Sequence, residues 1–222
     1  MNPDTSFTEA ERKAVYRVIA ERRDVRRGFL NEPLPDDLIG RLLSAAHSAP
    51  SVGLMQPSRF IVVRDAGIRE AVHQIFEAAN RRALDNYNGE QAERYSRLKL
   101  EGILEAPQNL CVLCDRENER GHALGRQTMP ETAVYSTVCA IQNFWLAARS
   151  EGVGVGWVSI LDPATLSKVL NIPSHLMLVA YLCFGYVEGF ASQPDLERFG
   201  WERRIDFKTV ISYDRYSEEC AP

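Results

Sequence analysis

Long apolar runs are missing from this 222-residue chain. The longest, near Leu176 to Phe184, is far too short to cross a bilayer, which excludes a helical membrane span. The start, Met1 to Ala10, is polar and acidic, where a signal peptide would carry a basic start and an apolar run. These absences point to a cytoplasmic protein with no membrane partner. Excess positive charge is missing too. Lys and Arg number 26 against 30 Asp and Glu, a net charge of −4, which argues against nucleic acid as the main partner. No stretch is rich in Gly, Ser or Pro, and no segment repeats. Residues 1–222 therefore read as a single domain with a full core.

Several chemistries are excluded in the same way. There is no GxSxG and no P-loop. The four histidines, His47, His73, His122 and His175, have no metal-ligand spacing, so no metal site is expected. The five cysteines, at 111, 114, 139, 183 and 220, are an odd number. Cys111 and Cys114 form a CxxC, but they lie in a run that reads as a buried strand, where positions three apart point to opposite faces. With no second CxxC and no nearby histidine, they read as reduced, buried thiols. Gly152-Val153-Gly154-Val155-Gly156 is not GxGxxG and leads into a strand, which excludes a dinucleotide-binding fingerprint. Its glycines would let backbone come close to a flat ligand.

What is present alternates between helical and strand-like segments. Thr8 and Glu11 form a capping box for a helix reaching Arg23. A second helix starts at Asp36 or Asp37. It runs into a loop, Ala49 to Pro57, ahead of a strand over Arg59 to Arg64. Ser51 and Gln56 in that loop are placed either to meet a ligand or to bond their own backbone. Residues 66–106 read as two charged helices broken at Asn86 to Gly89, with Glu90–Arg94 and Glu93–Arg97 as supporting pairs. The helix from Pro130 and Glu131 to Ser150 carries an apolar stripe of Val134, Val138, Ile141, Trp145 and Ala148, fit for the core or a subunit interface. A strand ending near Ser159, a short helix over Pro163 to Leu170 and a buried strand over Leu176 to Tyr186 follow. The tail holds the pair Arg203 and Arg204, then an extended Val210 to Tyr213.

The most pointed feature is Arg22-Arg23-Asp24-Val25-Arg26-Arg27, four arginines and one aspartate in six residues just after the first helix. Arginine forks suit a phosphate dianion, and they equally suit a solvated helix end. Asp24 either offsets the arginines or is held ready to act on a ligand.

Taken together and in order, this cluster, A-P-S-x-G-x-x-Q-P before a strand, G-V-G-V-G-W and the late arginine pair resemble the nitroreductase-like flavoproteins over nearly the whole chain. Typical members more often carry serine where Asp24 stands. That departure, with R-R-D-V-R-R-G-F-L, A-P-S-V-G-L-M-Q-P-S-R-F and G-W-V-S-I-L-D, is similar to the oxygen-dependent, flavin-destroying branch of the family. The resemblance implies an α+β sandwich with a central, mostly antiparallel sheet flanked by helices. It also implies an intertwined homodimer with two FMN sites at the interface. Arg22, Arg26, Arg203 and Arg204 would meet the FMN phosphate. Arg23 would lie near the ribityl chain, with Val25 beside it. Ser51 and Gln56 would bond the ring or the ribityl hydroxyls, and Val158 backbone would approach the ring. Asp24 and Ser159 would stand at the reacting portion, Asp24 as base and Ser159 positioning oxygen or a flavin nitrogen. Tyr87, Tyr95 and Leu98, within residues 80–106, are candidates for a lid. Reduced FMN and O2 would be the substrates, yielding 5,6-dimethylbenzimidazole, the lower ligand of cobalamin, and erythrose 4-phosphate. NAD(P)H would enter only indirectly, through a flavin reductase. The alternatives are an NAD(P)H-dependent FMN nitroreductase or flavin reductase, and a flavin carrier protein.

Overall fold

A computed structural model describes residues 6–217; Cys220 lies outside the described residues. The capping box is present. The Thr8 hydroxyl accepts from Glu11 N at 3.3 Å, and the Glu11 carboxylate accepts from Thr8 N at 2.7 Å. It opens α1 (Glu9–Glu21), a helix that buries none of its residues in this chain. The helix stops before Arg23 because Arg22 turns extended (φ −60°, ψ 135°) and leads the chain toward the sheet.

That sheet has four antiparallel strands, β1 (Ser58–Val63), β2 (Gln108–Asp115), β3 (Val153–Val158) and β4 (Leu176–Tyr186), in the order β1-β2-β4-β3. Side chains alternate between its two faces. Ala180, Leu182 and Phe184 join one core, built with α2 (Asp36–His47) and α5 (Thr132–Ser150) through Leu38, Leu42, Ile141 and Phe144. Tyr181 and Cys183 join the other, built with α3 (Ala66–Leu84) and α6 (Pro163–Val169) through Val72, Phe76 and Leu166. The expected α+β sandwich is therefore the fold. Cys111 falls on the α3 side and Cys114 on the α5 side against Met55 and Ala133. Burial pushes the Cys111 thiol up to about 12, which suits an inert core residue. Among the described residues, no group of His, Cys, Asp and Glu could hold a metal, and no helix is long and apolar enough to cross a membrane.

Some sequence expectations shift. In α5 the buried face is Ala133, Thr137, Ala140, Ile141, Phe144, Trp145 and Ala148, while Val138 is 40% exposed next to an exposed Tyr135. The helix is apolar on more than one side. Small residues, which give no periodic signal, chose the core face by allowing close approach. The break at residues 85–88 is present, but α4 (Gly89–Ser96) ends well before residue 106. Arg97 is past its last turn, so Glu90 pairs with Arg94 at 2.5 Å and no Glu93–Arg97 pair forms. In the tail, Val210 closes a single 3₁₀ turn, Phe207–Val210, rather than beginning an extended segment.

The glycines of β3 also do a different job. Asp24 and Val25 lie along the open edge of β3, with a parallel bridge from Asp24 to Val155 and Val25 N donating to Val155 O at 2.9 Å, while Phe29 bridges to Val187 just past β4. A Cβ on Gly156 would sit 2.0 Å from the Val25 carbonyl oxygen, and one on Gly154 2.5 Å from Val187 Cγ1. The space they leave is filled by the protein itself, by the Val25 carbonyl at Gly156 and by the Val187 and Val25 side chains at Gly154, and is not held open for a flat ligand. Gly156→Ala is expected to cost about 1–3 kcal/mol of stability, the usual range for overpacking against an unyielding neighbour. Gly40→Ala, on the exposed face of α2 with nothing within 4 Å, is expected to stabilise by about 0.5–1 kcal/mol. Thermal unfolding by circular dichroism checks both. A Gly156→Ala chain as stable as the wild type would show that the close approach does not constrain the fold.

Candidate active site

The arginine segment is fastened from below by the C-terminal half of α5. Arg22 lies over the Trp145 ring, 4.7 Å from its centroid, and Trp145 Nε1 donates to the Arg23 carbonyl at 3.1 Å. One turn on, Arg149 pairs with the Glu21 carboxylate at 2.8 Å and covers Phe190 at 3.9 Å. Arg23 directs its guanidinium into the chain's own turns, donating to the carbonyls of Ala20, Arg22 and Ser192 at 2.6–2.8 Å. It works as a clamp between residues 20–23 and the loop after β4.

Asp24 is anchored through both oxygens. Oδ1 accepts from Trp157 N at 2.9 Å, and Oδ2 pairs with Arg26 Nη2. Arg26 Nη1 donates in turn to the Lys99 carbonyl at 3.4 Å. Burial raises the Asp24 pKa above the ordinary aspartate value; Arg26, the Trp157 amide and Arg22 pull it back only in part. The carboxylate still keeps 32% of its side chain exposed, so it is reachable.

Beside it lies a cavity of about 110 Å³ lined by Arg22, Arg23, Asp24, Arg26, Asp195 and Arg204. Four arginines face two aspartates there. Burial and the nearby charges of Arg23 and Arg204 hold the Arg22 pKa down, against the pull of Asp24. The Nε atoms of Arg23 and Arg26 are buried with no hydrogen-bond partner among the described residues. Two aspartates leave this cluster of four arginines with positive charge in excess, and a phosphate of nearly two negative charges fits it. A second cavity of about 390 Å³ shares Asp24 and Arg26 and extends past Gly28, Glu188 and Phe190, giving room for a larger molecule next to the anion.

The other predicted residues are distributed unevenly. Val25 is buried at the β3 edge. Val158 is the buried last residue of β3, and Ser159 is exposed immediately after it. Arg203 and Arg204 are both exposed, and only Arg204 lines the anion cavity. Ser51 and Gln56 are not brought to the cluster within the chain. Ser51 Oγ accepts from Gln56 N at 3.0 Å, and Gln56 contacts His47 Nε2 and Arg120 Nη2. Both line a separate crevice of about 10 Å³ with His47 and Ser136. Tyr87 and Tyr95 stack on each other at 4.9 Å and meet Trp201, while Leu98 is half-buried. Sequence reasoning missed Trp145, Arg149, Asp195 and Trp201. A Trp-x-x-x-Arg on one helix face was visible in α5, but its partner carbonyls carry no sequence signal.

The Nitroreductase family matches residues 19–186 of this chain. The chain belongs to the nitroreductase family. Among its curated relatives in that family, 5,6-dimethylbenzimidazole synthase of Rhodospirillum rubrum is 47% identical over 183 residues, covering 82% of this chain and 86% of that one. The enzyme of the same name from Rhodobacter capsulatus is 42% identical over 200 residues, covering 90% and 96%. In three dimensions the nitroreductase fold is shared with an iodotyrosine deiodinase solved with FMN and 3-iodo-L-tyrosine (TM-score 0.73, 23% identity, 91% of this chain and 100% of that one).

The buried acid has a measurable signature. A raised native pKa means that the folded state holds more protons than the unfolded state between the unfolded value, about 3.9, and the native one. Asp24's contribution to stability is thus complete below that window and lost as pH rises through it. The stability difference, wild type minus Asp24→Asn, is expected to fall as pH rises above the unfolded value of about 3.9 in denaturant titrations. A difference that rises across this range would show that Asp24 is held as a stabilised carboxylate instead.

Proposed function

We propose that this nitroreductase-family chain fragments reduced FMN with O2, releasing 5,6-dimethylbenzimidazole and erythrose 4-phosphate. The observation that carries this reading is Asp24: a half-buried carboxylate set among arginines with orphaned donors, in a chain 47% identical to a protein named 5,6-dimethylbenzimidazole synthase. In ordinary reductive use of a flavin, the arginines need only grip a phosphate. An acid with a raised pKa beside that grip supplies a proton acceptor for breaking bonds in the ribityl chain.

The residues divide the work. Arg22, Arg26 and Arg204 hold the phosphate, with Arg203 following on the same arm. Arg23 and Val25 fix the segment beneath the ribityl chain, and the backbone at Val158 lies along the ring. The Trp157 amide keeps one Asp24 oxygen in place. Transfer of Arg26 Nη2 from Asp24 to the phosphate frees the other oxygen to accept a proton. Ser159, exposed at the end of β3, positions oxygen or a flavin nitrogen by hydrogen bonding. Reduced FMN supplies the electrons and is itself consumed; a separate NAD(P)H-dependent flavin reductase regenerates the supply. Residues 80–106, with Tyr87, Tyr95 and Leu98, form the lid over this site.

The chain acts as a homodimer in this reading. α1 exposes Val15, Tyr16 and Ile19, α5 exposes Tyr135 and Val138, and the tail exposes Phe207, Tyr213 and Tyr216, a large apolar surface for one chain. Ser51 and Gln56, remote from the arginines of their own chain, reach the flavin bound by the partner.

Two experiments test these points. In a single turnover, chemically reduced FMN is mixed with excess protein and then with oxygen, and the small molecules are separated and weighed by mass spectrometry. Loss of FMN with proportionate 5,6-dimethylbenzimidazole is expected, and Asp24→Asn is expected to bind FMN without forming product. Intact oxidised FMN from the wild type would remove the synthase reading, and NADH-driven turnover of a nitro compound would then replace it. For the shared site, Arg22→Ala and Gln56→Ala chains, each inactive alone, are unfolded together and refolded. Half of the dimers are then mixed and each carries one intact site, so about a quarter of wild-type activity is expected. No recovery would mean that both residues serve the same chain's site.

A further inference from the structure

The tail that carries Arg204 has no regular structure from residue 201 to 206, yet Arg204 lines the anion cavity opposite Arg22. Two cations facing each other repel, so an unsupported arm would swing into solvent. The support is visible three residues earlier. Trp201 meets Tyr87 edge-on at 5.5 Å and Tyr95 at 6.1 Å, and the two tyrosines stack at 4.9 Å. Tyr95 OH donates to Asn80 Oδ1 at 2.7 Å, which roots the cluster in α3 and through it in the core of the sheet. Arg94 Nη1 donates to the Gly200 carbonyl at 3.4 Å. Trp201 N donates to the Leu196 carbonyl at 2.8 Å, and Leu196 itself lines the anion cavity. Three residues of chain span no more than about 11 Å, so a fixed Trp201 confines Arg204 to the cavity's neighbourhood.

We propose that Trp201, clasped by Tyr87 and Tyr95, is a positioning residue that holds Arg204 in the anion cavity, so that residues 87–95 set the preference for phosphorylated over unphosphorylated flavin. The inference rests on the flavin reading above and extends it. The clasp holds the arm in place through contacts within the chain, so ligand binding is spared the ordering of that arm. Its effect is confined to the phosphate. A ligand without one gains nothing from Arg204, so any loss of affinity it shares with FMN reports the lid, and only the loss beyond it reports the clasp.

The test compares FMN with riboflavin, which lacks the phosphate, by calorimetric titration of the full-length protein. The wild type is expected to prefer FMN by more than tenfold, since a charge-assisted hydrogen bond to phosphate is worth about that factor or more. Trp201→Leu is expected to reduce FMN affinity about tenfold while riboflavin affinity stays within about twofold. Tyr87→Leu, which leaves the tail's sequence untouched, is expected to lower the same ratio, and Trp201→Phe to restore most of it. In an Arg204→Ala background, Trp201→Leu is expected to add no further loss. Equal weakening of both flavins by Trp201→Leu or Tyr87→Leu, with the fold intact by circular dichroism, would mean a merely structural cluster and overturn the proposal. An undiminished FMN preference in both variants would overturn it as well. A wild type that binds FMN and riboflavin alike removes the phosphate reading of the cavity itself, and this inference with it.

Discussion

The seating of residues 24–26 on the edge of β3 is the constraint from which the candidate site follows. Two hydrogen bonds define it, Val25 N to Val155 O and Trp157 N to Asp24 Oδ1. A side chain at position 156 would strain both, because the Val25 carbonyl already occupies that space. The approach has a double effect. It caps an edge strand that would otherwise present unpaired backbone groups. It also turns an arginine-rich helix end, which alone would be solvated, into a rigid wall with an acid at its centre.

Electrostatics then follow from where that wall lies. Arg22 is held by an aromatic ring and Arg23 by three carbonyls, so neither charge is balanced by an ordinary ion pair. Arg26 is balanced by Asp24, which is itself half-withdrawn from water. The free chain therefore keeps an excess of positive charge and orphaned donors at low cost in conformational freedom, which is the condition for binding a phosphate strongly. The acid that partly balances the cluster is the group the proposed chemistry needs, and in that proposal Arg26, its ion-pair partner, would link phosphate binding to proton transfer.

Much of this was readable from residue order. The capping box at Thr8 and the strands have local signals, the antiparallel α+β class came with the family resemblance, and the hexapeptide 22–27 drew attention to the candidate site by its charge while leaving a solvated helix end open. The failures have physical causes. The stripe in α5 misled because that helix is apolar on two sides, and small residues decided which side packs. The glycines of β3 were correctly taken to permit close approach, but sequence has no means of saying that the approaching group is the chain's own carbonyl. Ser51 and Gln56 lie apart from the arginines within one chain, and a motif read along one chain carries no distance between its parts. Trp157 contributes a backbone amide, which any residue but proline would supply, and was therefore invisible.

The separation of the site's parts along the chain bears on how the protein comes to exist. Asp24 and the amide that fixes it lie 133 positions apart, and Arg204 comes later still. On the ribosome, the first arginines emerge long before β3 can receive them, and they wait as a charged, unanchored segment. The anion cavity is thus among the last features to appear. A ligand that needs the finished cavity cannot act on the growing chain; it can only hold the completed one, shifting the balance toward the native state once synthesis is over. The order of residues along the chain in this way delays the candidate site until β3 and the arm bearing Arg204 are both in place.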